Sequence, residues 1–250
     1  MAPIAMRPSL PLPQTPVDVL ILAAHAPELV GLRPHLGEGL HAIVQDLHVV
    51  AKTIGVGMAV CGAGAANRIH QLAPRCIVLL GSCGIYPGPH AYRPLDLVIA
   101  SRCHLFDPSV AAGKAEFPGP MQTLLDTHPT LSAGLAAHGG PRARIAEVAT
   151  TLAITVDDAV ASQVQPRTGI EAENLELFPV ALACRAADVP FAAVLGVTNV
   201  VGSTGRQDWR TFQRDAAIAA AETIISWVRT GASGLPQPVI VRQGGPQGPG

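Results

Sequence analysis

Aromatic side chains make up 4% of this 250-residue chain and charged ones 14%. With 48% of the residues apolar, the core must be built from Ala, Val, Leu and Ile, the usual filling of a parallel sheet buried under helices. The length suffices for one large domain. Neither sign of charge dominates: the formal net charge is −1 without a block of like charges, which argues against nucleic acid and anionic membranes as partners. No apolar run approaches the roughly 20 residues that span a bilayer. The opening "MAPIAMRPSLPLPQTP" lacks the continuous apolar centre of a secretory signal. A soluble, cytoplasmic protein is expected.

Other absences remove whole chemistries. The five cysteines (Cys61, Cys76, Cys83, Cys103 and Cys184) form no C-x-x-C, and several lie in apolar runs where Cys acts as a small hydrophobe. A reduced interior without disulfides or zinc knuckles follows. The nine histidines show no H-E-x-x-H spacing, and Ser82 in "GSCG" lacks the G-x-S-x-G elbow. Cys103 and His104 are adjacent, so they cannot form a nucleophile–base pair by themselves. Metallohydrolase and serine hydrolase readings are excluded, and no metal or cofactor is expected.

What is present is a rhythm of apolar run, glycine or polar turn, and helix. Residues 1–16 and 231–250 are rich in Pro and Gly and are expected to be disordered tails around one domain, 17–230. Strands are expected at 17–24, 76–84, 95–103, 149–158 and 190–199. Helices are expected at 27–36, in part of 121–138, at 171–187 and at 206–230, and "GMAVCGAGAANRIHQL" (57–72) as a strand running through a glycine turn into a helix. Such alternation means an α/β domain with a largely parallel sheet, whose ligand crevice lies at the carboxyl ends of the strands.

Four stretches could supply that crevice, and each has a plainer reading. In "CGAGAAN" the Gly-x-Gly around Gly64 could turn backbone N–H groups toward an anion, or serve close packing. Asn67 holds the place of a dinucleotide fold's third glycine, which disfavours that fold. Glu28 falls in the first helical turn after a strand, as a site carboxylate or a solvated N-terminal one. In "GIEAENLELF", Glu173 and Glu176 would share a helix face, pointed at the crevice or forming a surface stripe. Asn199 ends an apolar strand and is followed by Gly202, Gly205, Arg206 and Asp208, a site loop or an ordinary turn.

Taken in order, these stretches resemble the nucleoside phosphorylase and nucleosidase superfamily over about residues 17–229. The resemblance is carried by "ILAAHAPELVGL", "GAGAAN", "LLGSCGIYPG" followed by "LDLVIAS", "NLELF" and "VPFAAVLGVTN". It implies a single-domain, three-layer α/β/α nucleoside phosphorylase-like fold with a central mixed, largely parallel sheet. Phosphorolytic members bind phosphate through a Gly and an Arg after the first strand, and "AAHAPEL" has no Arg, so the hydrolytic branch is favoured. Methylthioadenosine and adenosylhomocysteine nucleosidases end the last strand in Ser-Asp; here it is Thr198-Asn199. "TNVVGSTGRQDW" is similar to the signature of the futalosine hydrolases, nucleosidases of an alternative menaquinone pathway.

By that resemblance Glu28 is the general base on water and Glu176 binds the ribose hydroxyls. Asn199 holds the purine, with Leu175 in place of the family's usual Met before the ribose-binding Glu. Ser82 and Gly64 line the ribose side, Gly202 belongs to the loop closing over the base, and Arg206 meets a carboxylate-bearing tail. Phe106 contacts the 5′ substituent, or packs in the core. The partner is a small-molecule purine nucleoside, and a homo-oligomer with sites near the interface is implied. One departure stands out. Relatives have small residues after the ribose-binding Glu, and Leu177-Phe178-Pro179 here are expected to crowd the pocket or reshape the helix.

Overall fold

The structure, a computed structural model, describes residues 16–237. Most of the two expected tails lies outside that range. Residues 231–237 lie inside it and pack onto the domain: Ala232 is buried, and the carbonyl of Pro236 accepts a hydrogen bond from Arg75 at 2.6 Å.

The chain begins with β1 (Val19–Ala23), every residue of which is buried. A 3-10 segment (Ala26–Leu32) and the short α1 (Arg33–Leu36) follow, in place of one continuous helix. Pro34 explains the break, since it has no N–H to continue the ladder. Next come β2 (His41–Val44) and β3 (Leu47–Thr53), an antiparallel hairpin with no counterpart in the expected elements. Its two-residue turn, Gln45-Asp46, has positive φ at both positions (50° and 65°), the conformation Asn-Gly usually signals. Helix α2 (Met58–Leu72) leads into β4 (Cys76–Ile85) and β5 (Leu97–Leu105). Then follow α3 (Pro108–Ala111), β6 (Leu124–Asp126), α4 (Pro129–His138) and β7 (Ala143–Thr150). The domain closes with α5 (Asp158–Thr168), β8 (Ala172–Asn174), α6 (Leu177–Ala186), β9 (Phe191–Val200) and the long α7 (Gly205–Arg229).

The described strands form one nine-stranded mixed sheet in the order β2-β3-β1-β4-β8-β7-β5-β6, with β9 paired to both β4 and β5. That double pairing closes β4, β9, β5, β7 and β8 into a ring and leaves β1, β3 and β2 as an open wing. Helices cover both faces. On one, Cys61, Ala65 and Ile69 of α2 and Leu177, Val180 and Cys184 of α6 join a buried cluster with Leu20, Leu22, Ile77 and Leu79. On the other, Leu131 and Leu135 of α4 and Ala220, Ile224 and Val228 of α7 pack on Ile21, Val78, Ile99 and Val194. The spacing of three to four residues puts the α7 set on one stripe. The α/β/α layering implied by the resemblance is therefore observed. A side chain at Gly196 would place its Cβ 2.5 Å from the carbonyl oxygen of Ala216, so a glycine in β9 is what lets α7 lie this close.

Three expected elements are corrected. After the capping Gly57 the run is helix from Met58 to Leu72, and Gly64 sits inside it instead of at a strand-to-helix turn. The Cβ of a larger residue there would lie 2.2 Å from the carbonyl oxygen of Ile54. Gly64 thus serves close packing, with its N–H not offered to a ligand. The expected strand 149–158 ends at Thr150; residues 151–157 are a loop on which Leu152 is 82% and Val156 60% exposed. The expected helix 171–187 begins at Leu177, because residues 172–174 pair with both β4 and β7 as a strand. Tertiary pairing overrides a locally helical composition.

Candidate active site

The carboxyl ends of β1, β4, β8 and β9, the first turns of α7 and the 151–157 loop enclose a cavity of about 390 Å³, within the size range of small-molecule sites. Of the residues singled out by sequence, Glu28, Ser82, Leu175, Glu176, Asn199, Gly202 and Arg206 line it together. Gly64 does not, for the reason above. Phe106 does not either: it is half-buried behind the wall, against a cluster that includes Tyr86, Ile170 and Val201.

Glu28 is buried at the mouth of the 3-10 segment that follows β1. Its Oε2 accepts the backbone N–H of His25 at 3.2 Å and lies 3.2 Å from Nδ1 of the same residue. That carboxylate, outweighing the partial burial of the ring, holds the His25 imidazolium above the usual imidazole range. The His25 ring stacks on Trp209 of α7, centroids 6.4 Å apart and planes inclined by 28°. Trp209 in turn donates its Nε1–H to Oγ of Ser82 at 3.2 Å.

Glu176 occupies the turn between β8 and α6. Its Oε1 accepts the N–H of Gly57, the residue capping α2, at 2.9 Å, so a 15-residue helix points its positive end at the carboxylate. Its Oε2 accepts from Nδ2 of Asn174 at 3.3 Å. Burial nevertheless raises the Glu176 pKa above the usual carboxylate range, against the Gly57 N–H, with Glu28 adding to the rise and Asn174 and His25 opposing it.

The Leu-Phe-Pro sequence leaves the cavity clear. Leu177 and Phe178 turn into the core, and neither they nor Pro179 line the cavity. Pro179 is the third residue of α6, where a backbone N–H has no intrahelical partner to lose. The N–H groups of Leu177 and Phe178 are satisfied by Oδ1 of Asn174 (2.8 Å) and Oγ1 of Thr150 (3.0 Å). The expected crowding does not occur.

At the tip of β9 the pairing with β4 slips: Cys83 opposes Val197 but Gly84 opposes Asn199, leaving Thr198 as an extra residue. Such a bulge re-aims side chains, and here both Thr198 and Asn199 reach the cavity wall. The amide of Asn199 is held at both ends. Thr198 Oγ1 donates to its Oδ1 at 2.7 Å, and its Nδ2 donates to the carbonyl of Val200 at 2.9 Å. Glycines at 84 and 205 make room, since a Cβ at either would lie within 2.8 or 2.9 Å of that nitrogen. This is why an apolar strand ends in Thr-Asn and continues through glycines.

Sequence reasoning gave no role to His25, Asn174, Thr155 and Trp209, and left Glu173 between crevice and surface stripe; all five line the cavity. Glu173 accepts hydrogen bonds from Tyr86 Oη–H (2.6 Å) and from the N–H and Oγ1–H of Thr155 (3.0 and 2.6 Å), tying the 151–157 loop to β8. The only signal for Asn174 was its place among three glutamates. Arg206 is exposed at the cavity rim and has no hydrogen-bond or ion-pair partner among the described residues. Among those residues no group of three or more His, Cys, Asp or Glu could hold a metal ion, and no helix is long and apolar enough to cross a membrane.

The fold is shared with solved nucleosidase structures. The 5′-methylthioadenosine/S-adenosylhomocysteine nucleosidase of Helicobacter pylori, with butyl-thio-DADMe-Immucillin-A, is 14% identical with a TM-score of 0.77, over 87% of this chain and 100% of that one. The native futalosine hydrolase of H. pylori strain 26695 is 13% identical with a TM-score of 0.75, over 86% and 98%. A nucleosidase of the former kind from Colwellia psychrerythraea 34H, in complex with adenine, is 17% identical with a TM-score of 0.72, over 85% and 94%. Identities at this level establish the fold alone. No curated protein sequence matches the chain significantly. The profile of the phosphorylase superfamily matches residues 12–230. The chain therefore belongs to the phosphorylase superfamily.

Proposed function

We propose that the protein is a nucleosidase that hydrolyses the N-ribosidic bond of a purine nucleoside, with futalosine, cleaved to hypoxanthine and dehypoxanthine futalosine on a route to menaquinone, as the favoured substrate. The observation that carries this reading is the meeting of Glu28, Glu176 and Asn199, from three separate segments, in one cavity. Glu28 takes a proton from water as the oxygen attacks C1′. The C1′–N9 bond breaks with its electron pair going to the base, through an oxocarbenium-like transition state. Glu176 accepts hydrogen bonds from the ribose 2′- and 3′-hydroxyls and stabilises the developing cation. Asn199 meets the purine at N7 and O6 as negative charge builds there.

The fixed amide supports a 6-oxopurine. With Oδ1 committed to Thr198, and one N–H to Val200, the uncommitted group on nitrogen is a donor. Reversing the amide would set its oxygen against the Val200 carbonyl. Hypoxanthine offers two acceptors on that edge, O6 and N7, whereas adenine offers a donor and an acceptor. Arg206 at the rim suits an anionic substrate tail. The exposed apolar residues Val56 (57%), Leu152 and Val156 near the same cavity suit a homo-oligomer that covers them. Five buried free cysteines suit a reducing cytoplasm.

Free hypoxanthine appearing from futalosine in phosphate-free buffer tests the reading. Adenine release from methylthioadenosine instead would keep the mechanism and overturn the argument from Asn199.

A further inference from the structure

The two oxygens of Glu28 are not equivalent. Oε2 takes both the His25 backbone N–H and the nearby imidazole, each at 3.2 Å. Oε1 has no hydrogen-bond partner among the described residues, and lies 3.8 Å from where Gly81, bare of a side chain, would carry a Cβ. The His25 ring is itself fixed, stacked on Trp209, whose Nε1–H is spent on Ser82. Its Nδ1 is buried, faces Oε2 at 3.2 Å and has no other polar partner among the described residues.

We propose, resting on the nucleosidase reading, that His25 is a positioning residue: as the imidazolium it pins Oε2 of Glu28 and leaves Oε1 as the oxygen that takes the proton from water. The step balances: water loses a proton to Oε1, its oxygen bonds to C1′, the C1′–N9 pair leaves with the base as its anion, and the base then takes a proton from solvent. His25 neither gains nor loses a proton in the step. It also supplies the positive charge between two carboxylates, since Glu28 from its own turn and Glu176 from the β8–α6 turn are the charged groups acting on the ring. Trp209, packed on it from α7, is neutral, and Arg206 lies one turn earlier on that helix at the cavity rim.

The pH dependence has a definite sign. His25 carries its proton to a higher pH than a free imidazole does, so the pinned geometry persists above the ordinary imidazole range and is lost as the pH rises through the His25 pKa. Two measurements on the full-length protein test the proposal. The first follows the His25 ring by NMR titration in the wild type and in Glu28→Gln. The ring is expected to titrate above the ordinary imidazole range in the wild type and to drop in the variant. An unchanged titration would overturn the pairing whatever the enzyme cleaves. The second compares pH profiles of kcat and KM for the wild type and His25→Gln. The variant is expected to lose about tenfold in kcat with KM little changed, in line with the sensitivity of rate to misplacement of a reacting group, and to lose the alkaline limb. An alkaline limb that persists in His25→Gln would overturn the proposal. A shifted His25 titration in a protein that cleaves no nucleoside would uphold the pairing and overturn the reaction assigned to the site.

Discussion

Asn174 holds Glu176 from both sides: its Nδ2 donates to the Glu176 carboxylate at 3.3 Å while its Oδ1 accepts the Glu176 backbone N–H at 2.9 Å. The same nitrogen donates to the carbonyl of Ser82 at 2.9 Å, so one amide joins β4, β8 and the start of α6. Replacing it by Asp would set a carboxylate oxygen against both the Ser82 carbonyl and Glu176. Asn174→Asp is expected to lower stability by about 1–3 kcal/mol, the cost of buried groups left unpaired, and to raise KM at least about tenfold. Urea unfolding and steady-state kinetics check the two effects.

The amide of Asn199 fits because Gly84 and Gly205 lack side chains. Gly84→Ala and Gly205→Ala would each bring a Cβ to within 2.8 or 2.9 Å of its nitrogen. Each is expected to lower kcat/KM by about tenfold or more, as misplacement of a binding group does, while far-ultraviolet circular dichroism stays that of the wild type. Unchanged kinetics would remove Asn199 from base recognition.

Glu176 is held at a cost to the fold. Because burial raises its pKa in the folded protein, the folded state binds its proton more readily than the unfolded chain does. Stability therefore falls as the pH rises through the window between the ordinary carboxylate value and the raised one. Glu176→Gln is expected to melt at a higher temperature than the wild type at neutral pH, the difference fading as the pH falls through that window. Activity is expected to drop at least about a hundredfold. A variant less stable than the wild type at neutral pH would contradict this account of the site.

Gly64 separates packing from binding. Gly64→Ala would drive a Cβ into the backbone of Ile54. It is expected to cost about 1–3 kcal/mol, as overpacking does, with KM unchanged in whatever fraction folds. A raised KM with unchanged stability would restore the ligand role that the sequence suggests.

Arg206, exposed and unpaired among the described residues, should matter only to substrates with an anionic tail. Arg206→Gln is expected to raise KM for futalosine by about tenfold, the scale of one charge-assisted hydrogen bond, and to leave inosine unaffected. Equal effects on both would assign Arg206 to the fold of the loop.

Much of this was legible in the chain itself, for physical reasons. Buried strands such as Val19–Ala23 and Phe191–Val200 are apolar throughout because both faces are covered, and α7 carries its stripe at helical spacing. Asn199 stood out as a polar residue ending an apolar run, whereas Glu28 and Glu176 had plainer readings as surface helix residues and took their roles from the family resemblance. The hairpin β2–β3 was hidden because Gln45-Asp46 adopts positive φ without the usual Asn or Gly. Leu152, Ile154 and Val156 alternate like a strand yet lie exposed on a loop beside the cavity, a pattern no local rule distinguishes. His25 and Trp209 are 184 positions apart, and only the docking of α7 across β9 brings their rings together.

The most direct measurement is release of free base from futalosine, inosine, adenosine, methylthioadenosine and adenosylhomocysteine, each with and without phosphate, by the wild type and Glu28→Gln. The account predicts hypoxanthine from futalosine at a rate indifferent to phosphate and abolished in Glu28→Gln. Release that requires phosphate, or that survives the loss of the Glu28 carboxylate, would contradict it.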